Sequence, residues 1–343
     1  MAKIIIRADG NSVIGAGHIM RCISIAKEMH RRGNKCTFII SDTSFEQIIR
    51  DNGLNAVVLD SDYRDLDNEI EKLKPLMREI QPDFIIVDSY YVTKWYFEEI
   101  RAYAPVVYID DRLEFEYPVW MIINYNIYSN RDQYEILYAN KQLPRLVLGT
   151  KYVPLREEFQ NIKNTPKSDE MKRVLISTGG ADRERILLGL ANKLVEKKYE
   201  NMQFHLLVGA FEPDKEELRQ IAKNNGHIII YENVKKVSEL MLQCDLAISA
   251  AGSTLYELCA CGIPTITYVI ADNQIMGAEA MAEKGIMLYA GDYRSKVAFY
   301  ENIVSQMKTL LVSKNKLKTM AKNSQRLVDG KGVGRIVDEI ITE

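Results

Sequence analysis

The chain has 343 residues, 47% of them hydrophobic, enough to bury a sizeable core and long enough for two domains rather than one. Lys and Arg total 45 against 47 Asp and Glu, and with no basic tail or one-signed stripe this balance argues against nucleic acid as the main partner. No apolar run would span a bilayer and no apolar leader precedes the first strand, so the sequence reads as a cytoplasmic protein without a membrane span.

The first predicted strand, residues 3–8, centres on Ile4-Ile5-Ile6 and runs directly into Arg7-Ala8-Asp9-Gly10-Asn11-Ser12-Val13-Ile14-Gly15-Ala16-Gly17-His18-Ile19-Met20-Arg21. A glycine-rich loop at a strand-to-helix junction points backbone N–H groups toward the crevice where α/β proteins bind ligands. Gly15 and Gly17 let the backbone approach a ligand closely. His18 opens a helix over 18–32, and Arg21, three residues on, shares its face.

Strands follow at 35–40, 55–59, 83–88, 105–109 and 119–123, with helices at 65–80 and 93–103. This is the βαβ rhythm of a parallel sheet covered by helices. Strand ends carry Val87-Asp88-Ser89-Tyr90-Tyr91, Ile109-Asp110-Asp111-Arg112 and Ile123-Asn124-Tyr125-Asn126. If the strands are parallel, all three end at the edge that bears the His18 loop. Asp9, Tyr90, Asp111 and Asn126 would then line a polar sugar pocket. Each also has a plainer reading as a loop cap or salt bridge.

Tyr152 to Phe159, followed by the polar segment Gln160 to Glu170, loses apolar periodicity and carries Pro154 and Pro166, which marks a linker. The division expected is residues 1–155 and 156–343. A second βαβ series runs from Lys172, with strands at 173–177, 203–208, 227–231, 245–249 and 264–268 and helices at 183–198, 213–224, 235–243 and 253–261. Residues 295–343 read as two or three amphipathic helices belonging to this second domain. A hinge between two such domains would leave a ligand-binding cleft.

Three loops of the second series have the composition of ligand sites. Ser177-Thr178-Gly179-Gly180-Ala181-Asp182 follows a strand and precedes a helix, so Gly179 and Gly180 could wrap phosphates. Ile248-Ser249-Ala250-Ala251-Gly252-Ser253-Thr254-Leu255-Tyr256-Glu257 repeats that arrangement more strongly. There a helix opening near Ser253 offers unpaired N–H groups and two hydroxyls to a diphosphate, and Glu257 could hold a ribose. The plainer alternative is a tight turn with a helix cap. In Asp272-Asn273-Gln274, Asn273 and Gln274 are an amide pair suited to sugar or phosphate, or else a helix start.

The five cysteines, Cys22, Cys36, Cys244, Cys259 and Cys261, show no metal or disulfide spacing and read as buried thiols; no metal ligand set or cofactor is expected. Of the four histidines only His18 stands beside a glycine loop in an expected cleft. It is the candidate general base toward water, with Asp9 beside it, and phosphate binding is its alternative.

The Arg7–Arg21 motif, Ile109-Asp110-Asp111 and Ser249–Glu257 together resemble the UDP-2,4-diacetamido-2,4,6-trideoxy-β-L-altropyranose hydrolases of pseudaminic acid biosynthesis, over roughly residues 3–275. The resemblance implies a glycosyltransferase-B-like fold, two Rossmann-like domains with parallel sheets facing each other across a cleft. It implies metal-independent, inverting cleavage of a UDP-sugar by water. His18 would be the base, and Gly252, Ser253, Thr254 and Glu257 would hold UDP. Arg7, Gly15, Gly17, Arg21, Tyr90, Asp111, Asn126, Gly179, Gly180, Asn273 and Gln274 complete the expected substrate contacts. Ser89 and Tyr91 stand where a His-Tyr-Gly pattern is expected, and Tyr125 where a glutamine is usual; both lie on the sugar side. The alternative within the same fold is an inverting UDP-sugar glycosyltransferase. A monomer is favoured.

Overall fold

Strands that are apolar on both faces, such as Ile4-Ile5-Ile6 and Ile85-Ile86-Val87, form parallel sheets buried under helices on either side. The computed structural model describes residues 1–139, 141–162, 173–180, 182, 184–196, 199, 201–209 and 211–341. Pro166, Glu170, Lys172 and Ala181 lie outside the described residues. The chain forms two compact units, Met1–Arg156 with Lys331–Glu343, and Glu157–Gly330.

The first unit runs β1 (Lys3–Ala8), α1 (Gly17–Arg31), β2 (Lys35–Ile40), α2 (Glu46–Asp51), β3 (Asn55–Val58), α3 (Ile70–Ile80), β4 (Phe84–Asp88), α4 (Lys94–Ile100), β5 (Val106–Ile109), β6 (Met121–Asn124), α5 (Arg131–Tyr138) and β7 (Arg145–Leu148). Its seven strands are parallel in the order β3-β2-β1-β4-β5-β6-β7. The order reverses between β1 and β4, whose registers pair Ile6 with Ile86 and Ala8 with Asp88. That switch point opens a crevice at the carboxyl ends of the two strands.

The second unit runs β8 (Arg173–Ser177), α6 (Ile186–Leu194), β9 (Gln203–Val208), α7 (Lys215–Asn224), β10 (Ile228–Glu232), α8 (Val237–Gln243), β11 (Leu246–Ala250), α9 (Thr254–Ala260), β12 (Thr265–Val269), α10 (Ile275–Glu283), β13 (Leu288–Asp292), α11 (Phe299–Leu311) and α12 (Lys314–Leu327). Its six strands are again parallel, ordered β10-β9-β8-β11-β12-β13, with the switch between β8 and β11. Of the loops singled out by composition, those after β1 and β4 in one unit and after β8 and β11 in the other lie at these switch points.

The last helix, α13 (Gly332–Ile341), corrects the expectation that everything beyond 156 belongs to the second domain. Val333, Ile336, Val337 and Ile340 are buried within the first unit. Burying each such side chain stabilises by roughly 1.5–3 kcal/mol, an upper range for chains already compact when unfolded. Arg32 at the end of α1 donates to Asp338 at 2.5 Å and to the Gly334 carbonyl at 3.0 Å, while Arg145 and Tyr152 both reach Glu339. Gly332 lies so near the backbone that an added Cβ would stand 2.1 Å from the Val153 carbonyl oxygen. All five cysteines are buried and unpaired as disulfides. Among the described residues no helix is long and apolar enough to cross a membrane.

Candidate active site

The loop between β1 and α1 closes on itself. Asn11 and Gly15 exchange backbone hydrogen bonds at 3.2 and 2.8 Å, and the Asn11 side-chain oxygen accepts the N–H groups of Val13 and Ile14. Gly15 adopts φ +74°, which an L side chain rarely tolerates. The N–H groups of Asn11, Val13, Ile14 and Gly15 are thus consumed inside the loop. Its product is the placement of His18, in the first turn of α1.

His18 is 7% exposed and its Nδ1–H donates to Asp88 Oδ1 at 2.7 Å. Asp88 ends β4, the strand beside β1, so the switch point itself brings the two together. The Tyr90 ring meets the imidazole edge-to-face at 4.5 Å. A carboxylate on Nδ1 fixes the tautomer and turns Nε2 into the acceptor. Asp9, Ile14, His18, Asp88, Ser89, Tyr90 and Tyr91 line one small pocket. Tyr63 packs edge-on behind Tyr91 at 5.5 Å, giving that pocket an aromatic wall.

Asp88 carries four donors on its two oxygens: His18, Arg21 through Nε at 2.6 Å and Nη2 at 2.5 Å, and the Cys22 thiol at 3.4 Å. Burial alone would raise the Asp88 carboxyl, yet Arg21 and His18 outweigh it and hold it below the usual carboxylate range. Burial and the neighbouring carboxylate push the Cys22 thiol well up.

Several residues expected to touch substrate are spent on the protein. Arg7 is 1% exposed, and its guanidinium binds Glu69 at 2.6 and 2.8 Å and Asp9 at 2.5 Å. Asp9 lines the pocket, but its other oxygen accepts the Ser41 N–H and hydroxyl at 2.7 and 2.8 Å. The pair therefore forms the floor under the loop. Arg21 gives its remaining Nη1 to Asp111 at 2.9 Å and to the Tyr125 hydroxyl at 2.5 Å. Asp111 in turn accepts from Tyr90 at 3.2 Å and Asn126 at 2.9 Å. Tyr90, Asp111 and Asn126 thus come together with His18 as one hydrogen-bonded group. Asp110 anchors the turn beneath them, accepting the N–H groups of Arg112 and Leu113 and the hydroxyls of Tyr117 and Tyr134.

In the second unit, Gly179 turns at φ +89° and the Gly180 carbonyl accepts the Phe211 N–H. Gly209 approaches so closely that a Cβ there would meet the Gly179 carbonyl at 2.6 Å. Asp182 caps α6 through Ile186 and Leu187. Across the switch point, Ser253 precedes α9 with helical dihedrals, and its side chain makes no capping bond. The turn therefore forms without the hydroxyl cap that was its plainer reading. Gly252 and Thr254 are half-buried, Ser253 exposed, and Glu257 half-buried in the first turn. Gln274 lends its amide oxygen to the Ile270 N–H at 2.9 Å, holding its own turn, while Asn273 is exposed beside it.

Glu69, Ser41, Asp88 and Tyr125 complete these networks and carry no local signature of it.

Residues 174–336, a little under half of the chain, match the family model described as the glycosyltransferase family 28 C-terminal domain. The chain is 27% identical over 80% of its length to an uncharacterized protein of Methanocaldococcus jannaschii, and spans 56% of that protein. It is 25% identical over 82% of its length to the UDP-2,4-diacetamido-2,4,6-trideoxy-beta-L-altropyranose hydrolase of Campylobacter jejuni, spanning 97% of that enzyme. Among solved structures, MurG of Acinetobacter baumannii aligns over 100% of both chains with a TM-score of 0.69 at 14% identity, a likeness of fold. The fold is glycosyltransferase-B-like, two parallel-sheet α/β units.

Proposed function

We propose that this chain hydrolyses a UDP-linked 2,4-diacetamido-2,4,6-trideoxy sugar to UDP and the free sugar, in pseudaminic acid synthesis. The coarser reading, an enzyme acting on UDP-sugars, is supported by the family 28 match and by the Campylobacter relative. The finer reading rests on one observation, the His18 imidazole whose Nδ1 is tied to Asp88 at 2.7 Å. A histidine held this way has Nε2 directed to accept a proton, the requirement for activating water.

In this reading the loops after β1, β4, β5 and β6 are the sugar side of the first unit, and the loops after β8 and β11 are the UDP-binding loops of the second. The water oxygen bonds to the anomeric carbon as the carbon–oxygen bond to the β-phosphate breaks, and configuration inverts. The water proton passes to His18 Nε2, and the electron pair leaves with UDP. Asp88 stabilises the imidazolium that forms. Charge gathering on the departing diphosphate is met by the N–H groups and hydroxyls around Gly252, Ser253 and Thr254, arranged before the reaction starts. A second reading, inverting transfer to an acceptor alcohol, is favoured by the family 28 match and uses the same base.

His18→Ala tests the role of the base directly. UDP affinity, read by calorimetry, is expected to stay within about threefold, while UDP release falls by about two to four orders of magnitude. Unchanged turnover in that variant would sink the reading.

A further inference from the structure

We propose that Arg21 and Asp111 are positioning residues that set when His18 takes its proton, acting through Asp88 and not through substrate. The inference rests on the reading of His18 as the base. Arg21 places a side-on fork on Asp88 and its remaining terminal nitrogen on Asp111, with both carboxylates and the guanidinium about nine-tenths buried or more. The side chain has no nitrogen left over for a ligand. Asp111 is braced on its other side by Asn126 and Tyr90, so the row Asp111, Arg21, Asp88, His18 is fixed at both ends.

The charges along this row alternate. Two carboxylates and one guanidinium leave a net charge of −1 while His18 is neutral, and the proton taken from water brings the row to zero. The row is thus balanced in the state that exists after proton transfer. Other groups gathered here are Asp9 at the end of β1, held by Arg7, the hydroxyls of Tyr90 and Tyr125, the Cys22 thiol, and the Arg112 guanidinium over the outer face of Tyr90. Arg7 is shared between Asp9 and Glu69, a triad behind the loop that is the same in every variant considered. Changing Arg21 or Asp111 therefore alters the charge sensed by His18 with opposite sign.

The experiment follows His18 by nitrogen-resolved NMR across pH in the whole chain, alongside UDP release over the same range. In Arg21→Met the imidazole should become charged at higher pH than in the parent, and the rate on the acid limb should fall by about threefold to tenfold. In Asp111→Asn it should become charged at lower pH, with the acid limb raised by about twofold to fivefold. KM should move less than kcat in both, because neither side chain touches substrate. Arg21→Met leaves two buried carboxylates without their partner, which threatens folding. The double variant Arg21→Met/Asp111→Asn removes both signs at once, and His18 should titrate close to the parent.

Shifts of the same sign in the two single variants, or a double variant that stays displaced, would overturn the proposal. So would a rise in KM with kcat unchanged, the mark of a substrate contact. The NMR titration is independent of turnover, so opposite shifts without UDP release would uphold the row and refute the hydrolase reading.

Discussion

At the residue scale the site depends on Asp88 more than on any glycine. Its carboxylate sits between His18, the proposed base, and the Arg21 guanidinium, and it is fully enclosed. Asp88→Asn keeps the shape but removes the charge that stabilises imidazolium. We expect kcat for UDP release to drop by about two orders of magnitude or more with KM within about threefold. A KM effect alone would assign Asp88 to binding. The place of His18 at the head of α1 was legible in the sequence because a glycine loop at a strand-to-helix junction is a local pattern. Asp88 was not, because its meaning depends on β4 lying beside β1, seventy positions away from the histidine it serves. Arg7 and Arg21 misled for a related reason: a basic residue in a ligand loop looks alike in sequence whether it faces a ligand or a buried carboxylate.

At the scale of elements, long strands and helices with clear period were readable to within a few residues, and the short ones were not. β7 has four residues behind Pro144, and β13 carries Gly291 and pairs with β12 across a register shift. α2 is six residues long, α5 eight, and α10 lacks a strong apolar stripe. One element carries a consequence for pH. Glu212, in the loop between β9 and α7, is 6% exposed, and burial together with Asp182 and Asp214 pushes its carboxyl up to about 7. A carboxyl raised on folding contributes its full share of stability below its ordinary value, and loses it as pH climbs through about 7. Thermal unfolding of the second unit should therefore shift to lower temperature between pH 5.5 and 8, with a loss on the order of 2 kcal/mol. Glu212→Gln should flatten that dependence; an equal slope in the variant would place its origin elsewhere.

At the scale of the whole molecule, the same device appears in both units. A parallel sheet reverses its strand order once, and at each reversal two loops meet: those after β1 and β4, and those after β8 and β11. The repetition was visible in the sequence as two βαβ series. The return of α13 to the first unit was not, because an amphipathic helix does not declare which core it covers. Its position is decided by Gly332 against Val153 and by ion pairs to Arg32 and Arg145, contacts between residues far apart in the chain. The central claim is that the acceptor of the sugar is water. The measurement that tests it most directly is incubation of the purified chain with the UDP-linked diacetamido-trideoxy sugar alone in heavy-oxygen water, read by mass spectrometry. The account predicts UDP released without any added acceptor, unlabelled, and one heavy oxygen at the anomeric position of the free sugar. Label in UDP, or no turnover until an acceptor alcohol is supplied, would contradict it.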